Sequence, residues 1–507
     1  MTAPALPLAA SLLVPFAAAA ALWLLRMRPE ARRAVSLGAA AAQVGLAAAL
    51  LARALTGGAV VETMGGWPAP FGITLVADAL SAGMLLAASL VGGLVLVFAL
   101  ADVTEAEERR GFSALAHALL GGTAGAFLTG DLFNLYVWFE VTLIAAFGLM
   151  ALRGGAELRE AAIRYAAMNL VATIAMLLGV GMLYGATGAL NMAELAVALE
   201  GRSGEAAVLA PAGLLFFAFA AKAGFFPLFF WLPESYHAPS QSVTALFSAL
   251  LTKMAVYALY RVFTLIFEIR ETPGLQALLL ATALATMVIG ALGAASQYGV
   301  RKILAFHIVS QIGYMGLGLA LATPLGLAAG LFHLVHNMLA KTNLFLTGAI
   351  AARLAGSEEL SRMGGMWAAR PGLSLLYLVS ALAMAGIPPL SGFWAKFFIL
   401  HESFSQGWWL AGAIALATGL LTLYSMTKIW AEAFWKPHPD PDWRPAPAPA
   451  AMVAPALALV GLIALAGIAV GPAHGLALEA AGALIDRDGY IEAVLGPRPE
   501  RMAGEMP

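Results

Sequence analysis

The chain has 507 residues, 61% of them hydrophobic and 11% charged. Soluble domains are about half apolar and a quarter charged, so this composition excludes a single water-soluble core, a disordered chain and a secreted disulfide scaffold. A formal net charge of −1 offers no basic excess for phosphates, and the absence of cysteine removes disulfides, Fe–S ligation and thiol chemistry.

A membrane-spanning helix needs about 20 apolar residues, and roughly 300 residues lie in such stretches, enough for about 14 spans. The expected fold class is an all-α polytopic membrane protein. In chain order the spans fall at 4–25, 34–55, 74–101, 112–129, 131–152, 162–186, 207–231, 239–262, 274–297, 301–321, 324–351, 373–400, 409–433 and 450–471. The N-terminal stretch lacks the basic region of a cleaved signal and starts the first span. With the N-terminus outside, the inside segments hold 16 basic residues and the outside segments 7, Arg261, Arg498 and Arg501 among the latter. This follows the positive-inside rule and places both termini outside. Residues 190–205 read as an outer surface helix, 436–449 as a stiff Pro-rich inside loop, and the tail beyond about 472 as an amphipathic segment with a frayed end. No segment outside the spans is long enough for a redox or ATPase domain, and no local motif for nucleotide or flavin occurs.

Two spans carry breakers. Span 7 has Gly224 and Pro227 beside Lys222; span 12 has Gly386, Pro388, Pro389 and Gly392 ahead of Lys396. Proline removes a backbone donor, and in lipid such a break persists only where protein or a wet cavity satisfies the freed groups. Spans 7 and 12 are five apart and so opposite in direction. Interrupted helices in corresponding positions of two inverted halves point to a transport site. The expected organisation is 1–111 as three N-terminal helices, 112–262 and 274–433 as two inverted five-helix repeats, and 434–507 as the Pro-rich loop, helix 14 and the tail.

Five lysines, Lys222, Lys253, Lys341, Lys396 and Lys428, sit within apolar stretches, and Glu140 lies near the middle of span 5. A lone charge at the bilayer centre costs at least about 3 kcal/mol, so it faces the bundle interior and a partner. Glu140 is expected to pair with Lys222, with Lys253 next along the interior. An amine in a low-dielectric site gives up its proton more readily and a nearby carboxylate reverses this, so changing their separation moves protons. In span 11, His333, Asn337 and Lys341 share a helix face and His336 joins it, a pattern suited to a proton wire. H-x-x-H without a third ligand is a weak metal signal, and no metal or cofactor is expected. Span 10 presents His307, Gln311 and Tyr314 at i, i+4 and i+7 as accessory groups. Lys396 is expected toward the outer end of its path, and snorkelling is the reading for Lys428. Asp78 and Asp131 stand near helix starts and are expected first as caps, Asp131 also as a group at the pore mouth. Glu234 and His237 follow the span 7 break and are candidates to line a route in from the surface.

These residues carry a resemblance. Glu140, the K-A-G-F-F-P-L-F-F-W-L-P-E-S-Y-H-A-P run from Lys222, L-L-T-K ending at Lys253, R-K-I-L-A-F-H-I-V-S-Q-I-G-Y-M from Arg301, and Lys396 resemble the proton-pumping membrane subunits shared by respiratory complex I, membrane-bound hydrogenases and Mrp-type multisubunit cation/proton antiporters. TGDLFNLYVWFE and FHIVSQIGYM are similar to the D-subunit branch of the Mrp antiporters. Ser240–Gln241 departs from the expected small residues or proline. The resemblance implies 14 helices with two inverted repeats, proton translocation through Glu140, Lys222, Lys253 and Lys396, and a connecting role for His336 and Lys341. It further implies assembly with other subunits in a bacterial inner membrane. The expected function is a proton-translocating subunit of a Na+(K+)/H+ antiporter, a transporter and not an enzyme. The alternative is a pump subunit of a redox-driven complex. A scaffold is disfavoured because apolar residues seal at lower desolvation cost than buried amines. A self-contained solute carrier is disfavoured because no polar cluster marks an organic substrate.

Overall fold

The computed structural model describes residues 6–497. The first residues of the expected first span, the frayed end of the tail, Arg498, Arg501 and both termini lie outside it. Helices α1 (Leu6–Leu25) and α2 (Pro29–Gly57) lead into a short antiparallel hairpin, β1 (Val60–Thr63) with β2 (Thr74–Ala77), in register from Val60–Ala77 to Thr63–Thr74. Then come α3 (Ala79–Asp102), α4 (Glu105–Arg109), α5 (Phe112–Leu128), α6 (Leu132–Ala151), α7 (Ala156–Thr187), α8 (Met192–Ala198), α9 (Ala206–Ala223), α10 (Trp231–Tyr236) and α11 (Gln241–Leu265). The second half has α12 (Pro273–Ser296), α13 (Val300–Leu321), α14 (Pro324–Ala355), α15 (Met366–Ala369), α16 (Pro371–Ala385), α17 (Ser391–Ser405), α18 (Trp409–Ile429), α19 (Ala450–Ile468), α20 (Val470–Ile485) and α21 (Arg487–Leu495). Among the described residues, eleven helices are long and apolar enough to cross a membrane.

Local chemistry sets the helix starts. Asp78 accepts from Ser81 N at 2.8 Å while Ser81 Oγ accepts from Asp78 N at 2.9 Å, a reciprocal cap. Asp131, Asn191, Ser240 and Thr323 cap α6, α8, α11 and α14, and proline opens α2, α12, α14 and α16. Asp78 also corrects the expected span 3. Residues 74–77 are not its first turn: they are extended and paired with β1, and the helix begins only after the cap. The expected surface helix at 190–205 shrinks to the seven residues of α8, which bury Met192, Ala193, Leu195 and Ala196. The tail expected as an amphipathic segment is helical in its described part, as α20 and α21, and α20 packs on α3 and α14.

The interior runs opposite to a soluble protein's. Nearly every residue of α11 and α13 is buried, yet both are among the least apolar of the eleven candidate spans. The helices with exposed apolar faces, such as α1, α7, α12 and α19, surround them. Polar side chains are thus gathered on the axis of the bundle, as expected where lipid is the outer solvent.

The two ends are tied by polar contacts. At the hairpin end Arg261 pairs with Asp78, both almost fully buried, and Arg487 ties α21 to Glu268 and to the carbonyls of Leu265 and Ala196. This corrects Arg261, expected in an outside loop; it belongs to α11 and meets a buried carboxylate. At the opposite end Asp102 accepts from Ser242 N and Oγ at 2.8 and 2.7 Å. Gln241 and Arg301 both bind Glu358 there, and Arg301 also reaches the Pro239 carbonyl at 2.6 Å. The unusual Ser240–Gln241 pair therefore supplies a cap and a bond to Glu358. Lys428, expected to snorkel, is partly buried at the end of the bundle, where its Nζ donates to the carbonyls of Ala295 (2.8 Å) and Gln297 (2.7 Å) and closes the C-terminus of α12.

Glu107, in the loop helix α4, illustrates the charge chemistry at this end. Burial pushes its carboxyl up, but the Thr104 amide and hydroxyl and the Arg153 guanidinium outweigh burial and hold it below the usual range. A carboxyl depressed in the fold stabilises above its unfolded pKa of about 4.3 and loses that contribution as pH falls through the folded value. Glu107→Gln should therefore lower the thermal midpoint at neutral pH, with the gap to wild type closing as pH falls below that range. A gap independent of pH would show that the charge is not what matters.

Candidate functional site

Both helix breaks are built alike. α9 ends at Gly224 (φ 89°) and α16 at Gly386 (φ 93°), a left-handed turn that suits glycine, and each is followed by a cis X-Pro bond, Phe226–Pro227 and Pro388–Pro389. The freed backbone groups find partners inside the protein. At the first break Thr286 Oγ1 accepts from Phe226 N at 2.8 Å, and Trp231 Nε1 donates to the Ala221 carbonyl at 2.9 Å. At the second, the Lys396 ammonium donates to the carbonyls of Met384 (2.9 Å) and Ala385 (3.1 Å). Lys396 is thus buried against the break and does not snorkel.

The two breaks flank a row of buried polar groups. At one end is half-buried Glu140 on α6. It does not touch Lys222 directly, as the sequence suggested. The Thr173 hydroxyl of α7 donates to Glu140 Oε1 at 2.6 Å and accepts from Lys222 Nζ at 3.0 Å. Lys222 also lies 5.1 Å from the Phe139 ring. Beside Lys222 a space of about 10 Å³ is bounded by Thr142, Tyr165, Asn169, Trp231, Leu251 and Met254. That is about the volume one water needs, and two of its lining residues, Leu251 and Met254, stand either side of Lys253 in the sequence of α11.

Lys253 is fully buried on α11, and its Nζ donates to the Ser248 carbonyl at 2.7 Å. Lys341 on α14 is equally buried and donates to the Leu304 carbonyl of α13 at 2.9 Å. The two amines are within electrostatic reach of each other, and Lys341 of His307. Farther along, His333 packs 5.2 Å from the Tyr314 ring and 5.9 Å from His336. His336 Nδ1 shares a 2.9 Å hydrogen bond with Ser391 Oγ at the start of α17, and Lys396 lies 5.3 Å from the Tyr314 ring. Tyr314 donates to the Ala415 carbonyl.

The structure therefore gathers Lys222, Lys253, His307, Gln311, Tyr314, His333, His336, Lys341 and Lys396 on one axis, with Glu140 at its edge. Both nitrogens of His307 and His333, both amide atoms of Gln311, His336 Nε2, Asn337 Oδ1 and the hydroxyls of Ser248, Thr252 and Ser310 have no hydrogen-bond partner among the described residues. Three expected residues stand elsewhere. Asp131 caps α6 at Asn134 N (2.7 Å) near the hairpin end, and Glu234 is half-exposed and bonded to Arg164 at 3.0 Å. His237 hydrogen-bonds the Pro233 carbonyl at 2.9 Å, just past the short helix that carries Glu234. They belong to the ends of the bundle, not to the buried row. Sequence reasoning missed Thr173, although Asn169 and Thr173 stand at i and i+4 in an apolar run. It also missed Glu402, buried on α17 beyond Lys396, which accepts from Thr323 Oγ1 at 2.6 Å.

Broken helices flanking a buried row of amines and imidazoles define a membrane transport subunit of the ion-translocating kind. The family described as "NADH:quinone oxidoreductase/Mrp antiporter, TM" matches residues 129–422. The chain belongs to this family. It is 39% identical to the D-type subunit of the Na(+)/H(+) antiporter of Alkalihalophilus pseudofirmus, over 96% of this chain and 98% of that one. The corresponding protein of Bacillus subtilis is 37% identical over the same shares. Among solved structures, a chain of the Mrp complex from Dietzia sp. DQ12-45-1b superposes with a TM-score of 0.91 at 34% identity, covering 97% of this chain and all of that one. A chain of respiratory complex I from Thermus thermophilus superposes with a TM-score of 0.81 at 26% identity, covering 94% and 99%.

Proposed function

We propose that this chain is the proton-translocating subunit of a multisubunit Na+(K+)/H+ antiporter, assembled with other membrane subunits in a bacterial inner membrane with both termini outside. The single observation that carries this reading is the row of buried ionisable side chains between the two breaks. Its unpartnered donors and acceptors suit water, which would link them into a hydrogen-bonded file. Residues 112–262 and 274–433 form two inverted repeats, each contributing one broken helix, and fourteen crossings result. A proton reaches Lys253, passes to Lys341 and the His333–His336 pair, and leaves past Lys396. The Glu140–Thr173–Lys222 chain couples this to cation movement: a carboxylate held close favours the ammonium, and lengthening the bridge releases its proton.

The test is exchange in vesicles containing the purified complex. Lys341→Ala should abolish cation-dependent proton movement while the complex stays assembled; full exchange in that variant would refute the proposal. For orientation, a C-terminal fusion reporter that fluoresces only in the cytoplasm should stay dark.

A further inference from the structure

A second space lies against the side of the row and meets it at His336 alone. A cavity of about 440 Å³ opens between α3, α14 and the corner where α19 meets α20. The sequence creates it with small residues. α3 presents Ala79, Gly83 and Ala87 at i, i+4 and i+8, one helix face, and a Cβ built on Gly83 meets nothing within 4 Å. Every lining side chain is apolar except at one point, where His336 and Ser391 form the wall. His336 is 3% exposed, its Nδ1 is bonded to Ser391, and its Nε2 has no partner among the described residues. At the rim, Leu465 and Leu476 are 61% and 46% exposed, so the mouth is itself apolar and faces the surroundings of the bundle.

Water is a poor occupant. A buried water needs two to four polar partners, and apolar cavities of about 150 Å³ stay dry. Here one wall offers two polar side chains; His336 Nδ1 and Ser391 Oγ are already bonded to each other, which leaves His336 Nε2 as a single free side-chain atom, fewer than a buried water needs. The solvent around a membrane helix is hydrocarbon, and a chain of methylene groups recovers the dispersion contacts that an empty space forfeits. We propose that the cavity is a lipid site that takes one acyl chain of a membrane phospholipid, entering past Leu465 and Leu476 with its methyl end against the His336–Ser391 pair. The chain keeps water from reaching His336 from the side. That consequence rests on the proton route proposed above; occupancy of the cavity does not.

The experiment uses the whole complex in phosphatidylethanolamine and phosphatidylglycerol vesicles containing a phospholipid with a diazirine at the end of one acyl chain. Illumination should label peptides covering 79–90 and 331–339 above a lipid-facing control peptide from α12. Gly83→Leu places a side chain in open space and should reduce that labelling to the control level. Ala473→Leu fills the cavity from the opposite wall and carries the test should the first variant fail to assemble. Absence of label in the wild type, or label unchanged in an assembled filled variant, overturns the proposal. So does label obtained only with a free diazirine fatty acid. The readout is independent of exchange, so its failure leaves the proton-route reading standing, and full exchange in Lys341→Ala, which sinks that reading, leaves this one standing.

Discussion

Lys222→Ala, in the assembled complex, is expected to reduce cation-dependent proton movement to the vesicle background, and Thr173→Val to slow it by about tenfold. Removing Lys222 deletes the amine and leaves Glu140 bonded to a hydroxyl with no amine behind it. Thr173→Val keeps both charges and nearly the same volume but removes the atom that joins them. A hydrogen bond to a charged group contributes about 1.5 kcal/mol at the lower end of its range, and each 1.36 kcal/mol is tenfold in rate. Thr173→Ser should restore most of the rate, because the hydroxyl can reach both neighbours again. Exchange at the wild-type rate in Thr173→Val would show that the bridge has no part in coupling.

The second large effect concerns stability. Arg261 and Asp78 have side chains only 3% and 6% exposed and meet at the hairpin end, where Tyr490 of α21 also packs on the guanidinium at 5.1 Å. Removing one partner strands the other charge in a poorly solvated site, at a cost of about 3–5 kcal/mol. Arg261→Ala should therefore sharply lower the thermal midpoint of the purified complex. Asp78→Ala should do the same and also lose the cap of α3. The double variant, with no stranded charge, should be more stable than the sum of the two losses predicts. Additive losses would mean that the contact is incidental.

What the sequence made legible was what depends on one chain segment at a time. Apolar runs marked most of the long helices, Gly224–Pro227 and Gly386–Pro389 placed the breaks, and Asp78 and Asp131 announced themselves as caps. The row was legible as well, because a lysine or histidine in an apolar run is conspicuous wherever it ends up. What stayed hidden were partnerships between segments far apart. Nothing local marks Lys428 as the group that closes the end of α12, at carbonyls 133 and 131 positions earlier in the chain. Nothing in span 8 marks Arg261 as the partner of an aspartate 183 positions earlier. A four-residue extended stretch before Asp78 looks like the first turn of an apolar helix until its hairpin partner is seen. The hydroxyl between Glu140 and Lys222 is the same kind of omission, for Thr173 becomes a bridge only when α6, α7 and α9 are placed side by side.

Lys253, Lys341 and Lys396 share one habit: each donates to backbone carbonyls, and none of the three is bonded to a carboxylate among the described residues. A peptide oxygen never takes up a proton at any pH a cell meets. It therefore anchors the nitrogen without dictating whether that nitrogen is charged, whereas an acid partner would lock it on. Location and occupancy are governed separately at these three amines, so on the proposed route a proton would leave any of them without an ion pair being torn apart first.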